Sequence, residues 1–68
     1  MKNKTAPSAN DYTSIVQDSL PWRVEDDAVI IDRNGNEVAD CTMSNMNVAK
    51  AQFICQIANN YTPTVLTP

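Results

Sequence analysis

The residues whose types and spacing could hold a metal ion lie in the stretch DRNGNE, which runs from Asp32 to Glu37. Asp32, Asn34 and Asn36 alternate there, as ligands do at the start of a calcium-binding loop. Such a loop needs a glycine at its sixth position and a bidentate glutamate at its twelfth. Counted from Asp32, these positions hold Glu37 and Met43. The calcium geometry therefore fails, and we expect the stretch to be the turn of a hairpin.

Gly35 is the single glycine of the chain, and it stands where a hairpin turn needs a positive φ. Two turns fit. A two-residue type I′ turn would pair Ile31 with Val38, whereas a type I turn opened by Asp32, with Gly35 as its bulge residue, would pair Ile30 with Val38. We favour the second, because aspartate at the first turn position and glycine at the fourth are typical of it. Its register predicts two faces of the hairpin, Ala28, Ile30 and Val38 on one and Val29, Ile31, Ala39 and Cys41 on the other.

The chain contains few residues of the types that catalyse other reactions. Histidine, the usual general base, is absent, and two cysteines cannot supply the four ligands of a structural zinc site. Cys41 and Cys55 have no basic neighbour in sequence that would lower a thiol pKa, so we expect two reduced, buried thiols rather than a nucleophile or a disulfide. One glycine cannot form a phosphate-binding loop. The sequence therefore predicts a protein that is not an enzyme and that holds no metal and no cofactor.

The elements around these residues predict a small α+β domain. Residues 1–10 are polar and interrupted by Pro7, so they predict a mobile tail, and residues 11–68 predict a single domain. A short helix or packed loop follows the tail, with Asn10 or Asp11 as its cap, and Pro21 ends it. Alternation over Trp22 to Glu25 indicates a strand.

The hairpin at Asn34-Gly35 and a C-terminal helix complete the predicted fold. Ala51, Ile54, Cys55 and Ala58 recur at helical spacing and predict the face that packs on the sheet. Phe53 and Ile57 widen that face. Ser44 or Asn47 can cap the helix start, and Asn59 or Asn60 can take a left-handed closing position. The expected architecture is a small antiparallel sheet of two to three strands packed on one C-terminal helix.

Charge distribution narrows the class of partner. The chain has a net charge of −3, and residues 11–68 hold all eight acidic residues against three basic ones. Such a body repels phosphate, which argues against direct nucleic-acid binding, and no segment approaches the length of a membrane span. An acidic edge would suit a basic protein surface. The candidate partner-binding residues are Trp22, Arg23, Glu25, Asp26, Asp27, Asp32, Glu37 and Asp40.

Trp22 has two interpretations. Beside Arg23 it could anchor an interface, but a core this small also needs its largest side chain, and that structural role is the better supported of the two.

Three segments together resemble a pattern found in small, largely uncharacterised proteins of tailed phages and prophages. The segments are LPW, IIDRNGNEVA and AQFICQIANNYTP, which give a Trp strand, an I-x-D-x-x-G-x-x-V-A hairpin and an A-x-F-I helix that ends in Asn. The resemblance covers roughly residues 20 to 66 and brings no catalytic residue with it. The residues that carry it are Trp22, Ile30, Asp32, Gly35, Val38, Ala39, Ala51, Phe53, Ile54, Asn59 and Pro63.

The resemblance implies a phage or prophage source and action in the cytoplasm of the infected host cell, which fits the absence of a recognisable signal peptide. Small acidic phage proteins often inhibit host complexes, as anti-CRISPR and other anti-defence proteins do. The leading hypothesis is a protein-binding inhibitor that occludes the basic surface of a host defence or nucleic-acid-handling complex. The alternatives are a sponge that sequesters a small signalling nucleotide and a structural homo-oligomer, in the simplest case a homodimer.

Overall fold

The computed structural model describes residues 7–62, which form a three-stranded sheet and two helices. The predicted tail at residues 1–6 and the end of the predicted domain at residues 63–68 lie outside the described residues. In chain order the elements are α1 (Ala9–Ser19), β1 (Arg23–Glu25), β2 (Val29–Ile31), β3 (Glu37–Asp40) and α2 (Asn47–Asn59). The strands lie in the order β1-β2-β3 and both pairs are antiparallel. Helix α2 packs on β1 and β2, which confirms the predicted α+β fold.

The DRNGNE turn has the predicted type. The backbone N–H of Gly35 donates to the carbonyl of Asp32 at 3.0 Å, and Gly35 has a φ of +88°. The N–H of Asp32 donates in turn to the carbonyl of Asn36 at 2.9 Å. These are the features of a type I turn followed by a glycine bulge. The turn opened by Asp32 is therefore confirmed.

The predicted strand register holds only next to this turn. Ile31 pairs with Glu37 in the favoured register, but Ile30 pairs with Ala39, because a second bulge at Val38 shifts the rest of β3 by one residue. A shift of one residue moves side chains to the opposite face of the strand. The predicted faces are therefore wrong for β3. Val38 is 39% exposed, whereas Ala39 packs against the core beside Ile30.

The hydrophobic core is small. Its buried members are Ala28 and Ile30 from the β1–β2 turn and β2, together with Ala51 and Cys55 from α2. Ile30 is the single large side chain that is fully buried among residues 7–62. Four partly buried residues pack around this cluster: Trp22, Val24, Ala39 and Cys41. Trp22 thus closes one end of the core, as its structural interpretation predicts, and both cysteines are free thiols.

The helix ends differ from the predicted ones. Ser8 caps α1: its hydroxyl accepts a hydrogen bond from the Asp11 backbone N–H, and the Asp11 carboxylate accepts one from the Ser8 backbone N–H, which completes a capping box. The helix therefore includes residues 9 and 10, which the sequence assigns to the tail. Helix α2 begins after Met46, which has a φ of +56° and no capping side chain. Asn60 follows its last residue with a φ of −100°, so the expected left-handed closing position is not formed.

Candidate functional site

An apolar groove lies between α1 and α2. It has a volume of about 610 Å³, and none of the residues within 7–62 that line it is charged. Helix α1 contributes residues at helical spacing, and α2 contributes a matching stripe, so each wall is one face of a helix. The lining residues are Tyr12, Ile15, Val16, Leu20, Trp22, Phe53, Ile54, Ile57, Ala58 and Tyr61.

The hairpin tip holds the first wall of this groove in place. The guanidinium of Arg33 donates to the carbonyl of Gln17 at 2.8 Å, and the side-chain amide of Asn34 donates to the carbonyl of Asp18 at 2.7 Å. The backbone N–H of Arg33 donates to the carbonyl of Ser19 at 2.8 Å. These carbonyls belong to the last turn of α1, where no following helical turn supplies N–H groups to donate to them, and a cation there is favoured by the helix dipole. The DRNGNE turn therefore also caps α1.

A second anchor fixes the other wall. The side chain of Asn59, the last residue of α2, accepts a hydrogen bond from the backbone N–H of Trp22 at 2.7 Å and donates one to its carbonyl at 2.9 Å. The amide of Asn59 thus pairs with Trp22 as a neighbouring strand would. The rings of Tyr12 and Tyr61 meet edge to face, with centroids 6.2 Å apart, and join the two walls.

Much of the apolar surface around the groove is open to solvent. Phe53 is 65% exposed and Ile57 is 58% exposed, although both were predicted to widen the face that covers the sheet. Helix α1 has no buried residue at all. The groove therefore leaves uncovered the kind of surface that folded proteins usually bury or present to a partner.

Trp22 and Arg23, which were predicted as part of a partner-binding surface, both make contacts within the chain. The indole N–H of Trp22 donates to the hydroxyl of Ser19 at 3.2 Å, while its ring lines the groove and packs on the core. Arg23 forms an ion pair with Glu25 and donates to the carbonyl of Asp32 at 3.0 Å. Trp22 thus belongs to the groove, and Arg23 links β1 to the hairpin turn.

The six acids predicted as one edge do not have equivalent environments. Asp32 is only 9% exposed, and its carboxylate accepts hydrogen bonds from the backbone N–H groups of Asn34 and Asn36, each at 2.9 Å. A side chain that satisfies the backbone of its own turn is not free to meet a partner. Asp32 therefore does not belong to an exposed acidic edge.

Asp40 is exposed, but it also has a local partner. Thr42 donates hydrogen bonds to its carboxylate from the side-chain hydroxyl and from the backbone N–H. These bonds hold the pKa of the Asp40 carboxyl below its ordinary value, the hydroxyl having the larger effect. The Asp40 carboxylate is thus already hydrogen-bonded within the chain, at the end of β3.

The remaining acids, Asp26, Asp27 and Glu37, are exposed, and within residues 7–62 their side chains have no hydrogen-bonding or ionic partner in the protein. Asp26 and Asp27 follow β1 directly and have φ values of +48° and +72°. The N–H of Ala28 donates to the carbonyl of Asp26 at 2.8 Å, which closes a γ-turn around Asp27 with positive φ. The left-handed φ of Asp26 is one that aspartate and asparagine tolerate, whereas the γ-turn with positive φ at Asp27 is rare and strained. We call Asp26 and Asp27 the acidic turn.

The described part of the chain offers little for metal or thiol chemistry. No group of three or more His, Cys, Asp or Glu residues within 7–62 could hold a metal ion. Cys55 lies in the core, and burial, with a smaller contribution from the nearby Cys41, raises the pKa of its thiol. A raised pKa keeps the thiol protonated and unreactive. Across the same residues, neither helix has the length and hydrophobicity that a membrane span requires.

Comparison of the chain with protein-family models, with curated protein sequences and with solved structures found no match. The resemblance to phage proteins accordingly stays a hypothesis based on the three segments that suggested it.

Sequence reasoning missed the groove although the signal was present. The spacing of Tyr12, Ile15, Val16 and Leu20 is close to that of one helical face, and Phe53 and Ile57 lie on the apolar face predicted for α2. Helical spacing shows which residues share a face, but it does not show whether the chain itself covers that face. The sheet does not cover the apolar face of α1 or this side of α2, so both remain exposed to solvent.

Proposed function

We propose that this protein is a protein-binding module without catalytic activity. The observation that carries the proposal is the apolar groove between α1 and α2, whose walls include Phe53 and Ile57 as largely exposed side chains. Uncovered apolar surface of this kind is typical of a protein interaction site.

A protein suits the groove better than a small polar ligand does. Small-molecule sites combine apolar walls with a few polar groups that fix the orientation of the ligand. Among the described residues, the polar atoms of the lining side chains are two tyrosine hydroxyls and the indole N–H of Trp22, and that N–H already donates to Ser19. The groove therefore selects for apolar surface rather than for a particular arrangement of polar atoms.

The acidic turn adds a preference for a basic partner. The acidic turn follows the last residue of β1, whereas Trp22, which lines the groove, precedes the first residue of β1. The acidic turn and the groove therefore lie at opposite ends of that strand. We further propose the specific form that the phage resemblance suggests, an inhibitor that occludes a basic surface of a host defence or nucleic-acid-handling complex in the infected cell. The strained backbone of Asp27 supports it, since strain of this kind is concentrated at functional sites.

The nucleotide-sponge alternative loses support from the basic residues. Arg23 is engaged by Glu25 and Asp32, and Arg33 is engaged by the end of α1. Lys50 donates to the hydroxyl of Ser44 at 3.1 Å. A phosphate group would have to displace these contacts in a chain whose net charge already repels it. A thermal-shift screen with nucleotides tests this alternative, because a tight ligand raises the unfolding temperature.

The test of the proposed function is capture of partners from host lysate by the tagged protein, at low and at high salt, followed by mass spectrometry. We expect a stoichiometric basic protein that high salt releases, since screening weakens interactions between exposed charges. The double variant Asp26→Asn/Asp27→Asn should lose it. Asparagine tolerates positive φ, so the turn is preserved while its charge is removed.

Asp18 is an exposed aspartate on α1, so Asp18→Asn is the control for loss of negative charge. This variant should capture the partner as the wild type does. A basic partner retained equally by the double variant and in high salt would refute the role of the acidic turn.

A further inference from the structure

The structure leaves α1 with very little to hold it. The helix has 11 residues and no buried side chain, and within residues 7–62 its polar attachment to the rest of the fold is confined to its C-terminal turn. A helix of this length is marginal in water, and most helical stability in proteins comes from packing of an apolar face. The apolar face of α1 lines the groove, so whatever covers the groove also stabilises the helix.

We infer that the groove binds a second copy of this chain, so that the protein works as a symmetric homodimer. The inference rests on the proposed function in one respect, that the groove is a surface for protein. It adds the identity of the occupant, and it leaves the acidic turn free for a different partner.

Self-complementarity is the first argument for a second copy. A twofold symmetric interface uses the same patch on both subunits, so the patch must contain both the projecting groups and the space that receives them. The groove provides the space, about 610 Å³ between the two helices. Phe53 and Ile57, 65% and 58% exposed on the α2 wall, provide the projecting groups. Each copy can therefore insert these side chains into the groove of the other.

Composition of the surface is the second argument. Interfaces with transient partners are about as apolar as the rest of a protein surface, whereas obligate homodimer interfaces resemble a hydrophobic core cut in half. In composition the groove resembles the second class, because none of the lining residues that the structure describes is charged. The absence of charge from these lining residues also limits the electrostatic repulsion between two copies, each of which has a net charge of −3. The groove itself brings no charges together, and salt screens the charges outside it.

The area available agrees with a stable dimer. Tyr12, Phe53 and Tyr61 are between 40% and 65% exposed, which leaves roughly 300 Å² of aromatic surface per copy. Three partly exposed isoleucines, Ile15, Ile54 and Ile57, add on the order of 100 Å². A specific interface of standard size buries about 800 Å² per partner, and at the apolar fraction of homodimer interfaces, about 65%, roughly 520 Å² of that would be apolar. Six residues thus supply about three quarters of the apolar area required.

The test is the mass of the full chain in solution, measured by sedimentation equilibrium over a wide concentration range. We expect the wild type to have twice the mass of one chain, and Trp22, the single tryptophan, to show a blue-shifted emission as the dimer forms. Phe53→Glu and Ile57→Glu should each weaken association by about 100-fold or more, because symmetry places the new charge in the interface twice. Both positions are exposed in the single chain, so the monomer can keep its fold, which circular dichroism checks.

The neighbouring glutamines provide matched controls. Gln52→Glu and Gln56→Glu add the same charge to the same helix, one residue before each test position and outside the groove, so both variants should dimerise as the wild type does. If the charge at the groove positions unfolds the chain, the wild type alone decides the matter, since the unfolding temperature of a dimer rises with protein concentration and that of a monomer does not.

Two results would overturn the inference: a wild type that stays monomeric up to millimolar concentration, or a dimer that survives both Phe53→Glu and Ile57→Glu. The lysate experiment separates these failures from failure of the proposed function. A monomer whose captured partner is lost in Ile57→Glu refutes the homodimer and keeps the groove as a binding site for another protein. A monomer that captures nothing contradicts both.

Discussion

Replacing Asn59 by alanine should destabilise this protein more than its exposed position at a helix end suggests. The side-chain amide of Asn59 makes two hydrogen bonds to the backbone of Trp22, at 2.7 and 2.9 Å, across 37 positions of sequence. These bonds connect the end of α2 to the start of β1, and Trp22 lies at the boundary between the core and the groove. The variant Asn59→Ala removes both bonds at once.

The size of the effect follows from two opposing contributions. Each hydrogen bond contributes about 0.5–1.5 kcal/mol net, and the partial solvent access of this pair favours the lower half of that range, about 1–2 kcal/mol for the two. Alanine has the better helix propensity and returns at most about 0.7 kcal/mol, less at a terminal position. The expected loss is therefore about 1 kcal/mol. For a domain of this size that corresponds to a fall of roughly 4–8 °C in unfolding temperature.

The assay is urea unfolding followed by tryptophan fluorescence, since Trp22 reports directly on the site. Asn60→Ala is the matched control, because the side chain of Asn60 makes one local bond, to the carbonyl of Gln56 at 2.8 Å, and that carbonyl also accepts the Asn60 backbone N–H. Its expected cost is below about 0.5 kcal/mol. Equal losses in the two variants would refute the reasoning, because the long-range pair would then contribute no more than a local one.

A second pair of variants isolates the donor. Asn59→Asp keeps an oxygen that can accept from the Trp22 N–H, but it places another oxygen against the Trp22 carbonyl. Any general cost of a negative charge at a helix C-terminus appears equally in Asn60→Asp. We expect Asn59→Asp to unfold at lower urea concentration than Asn60→Asp. The opposite order would mean that the bond donated by Asn59 is not formed in solution.

Three further predictions concern other parts of the molecule. Asp27→Gly should stabilise the chain by about 0.5–1 kcal/mol in urea unfolding, because relief of positive φ outweighs the entropy cost of glycine; destabilisation would mean that the turn is unstrained. Thr42→Val should raise the pKa of the Asp40 carboxyl, measured in a carboxyl NMR titration. The variant should lose most stability at pH values above the unfolded-state pKa of Asp40, and the loss should vanish as the pH falls through the folded-state pKa. An unchanged titration of Asp40 would contradict the role of Thr42. Iodoacetamide should modify Cys41 well before Cys55, because burial raises the pKa of the Cys55 thiol and shields it; equal rates would contradict its place in the core.

Local chemistry made the turn and the element types predictable. Aspartate and glycine at the first and fourth turn positions specify the conformation that Gly35 adopts, and Asp32 satisfies the backbone of the same turn. The register beyond Ile31 was not predictable in this way. The bulge at Val38 places Ala39 rather than Val38 against Ile30, and nothing within the hairpin sequence marks which of two adjacent apolar residues will be the extra one.

The polar residues of the hairpin show a related difficulty. Asn34 fits the turn by its own propensity, yet its side chain, with that of Arg33, binds carbonyls of α1 that lie 16 positions earlier in the chain. A turn motif predicts the backbone conformation of such residues, but it does not predict what their side chains contact. The same difficulty applies to Asp32, which looks in sequence like any other member of an acidic surface.

The distribution of attachments makes the two walls of the groove unequal. The wall from α2 shares its helix with Ala51 and Cys55 and so is as stable as the core itself. The wall from α1 has no buried side chain and is fixed by polar bonds to the hairpin tip and by the contact of Tyr12 with Tyr61. Elements with few buried contacts open at lower free energy than the core does. A partner that covers the groove therefore stabilises α1 most, and part of its binding energy goes into ordering that helix. This coupling favours a partner with a large apolar surface over one that contacts the rim alone, and a second copy of the same face has that surface.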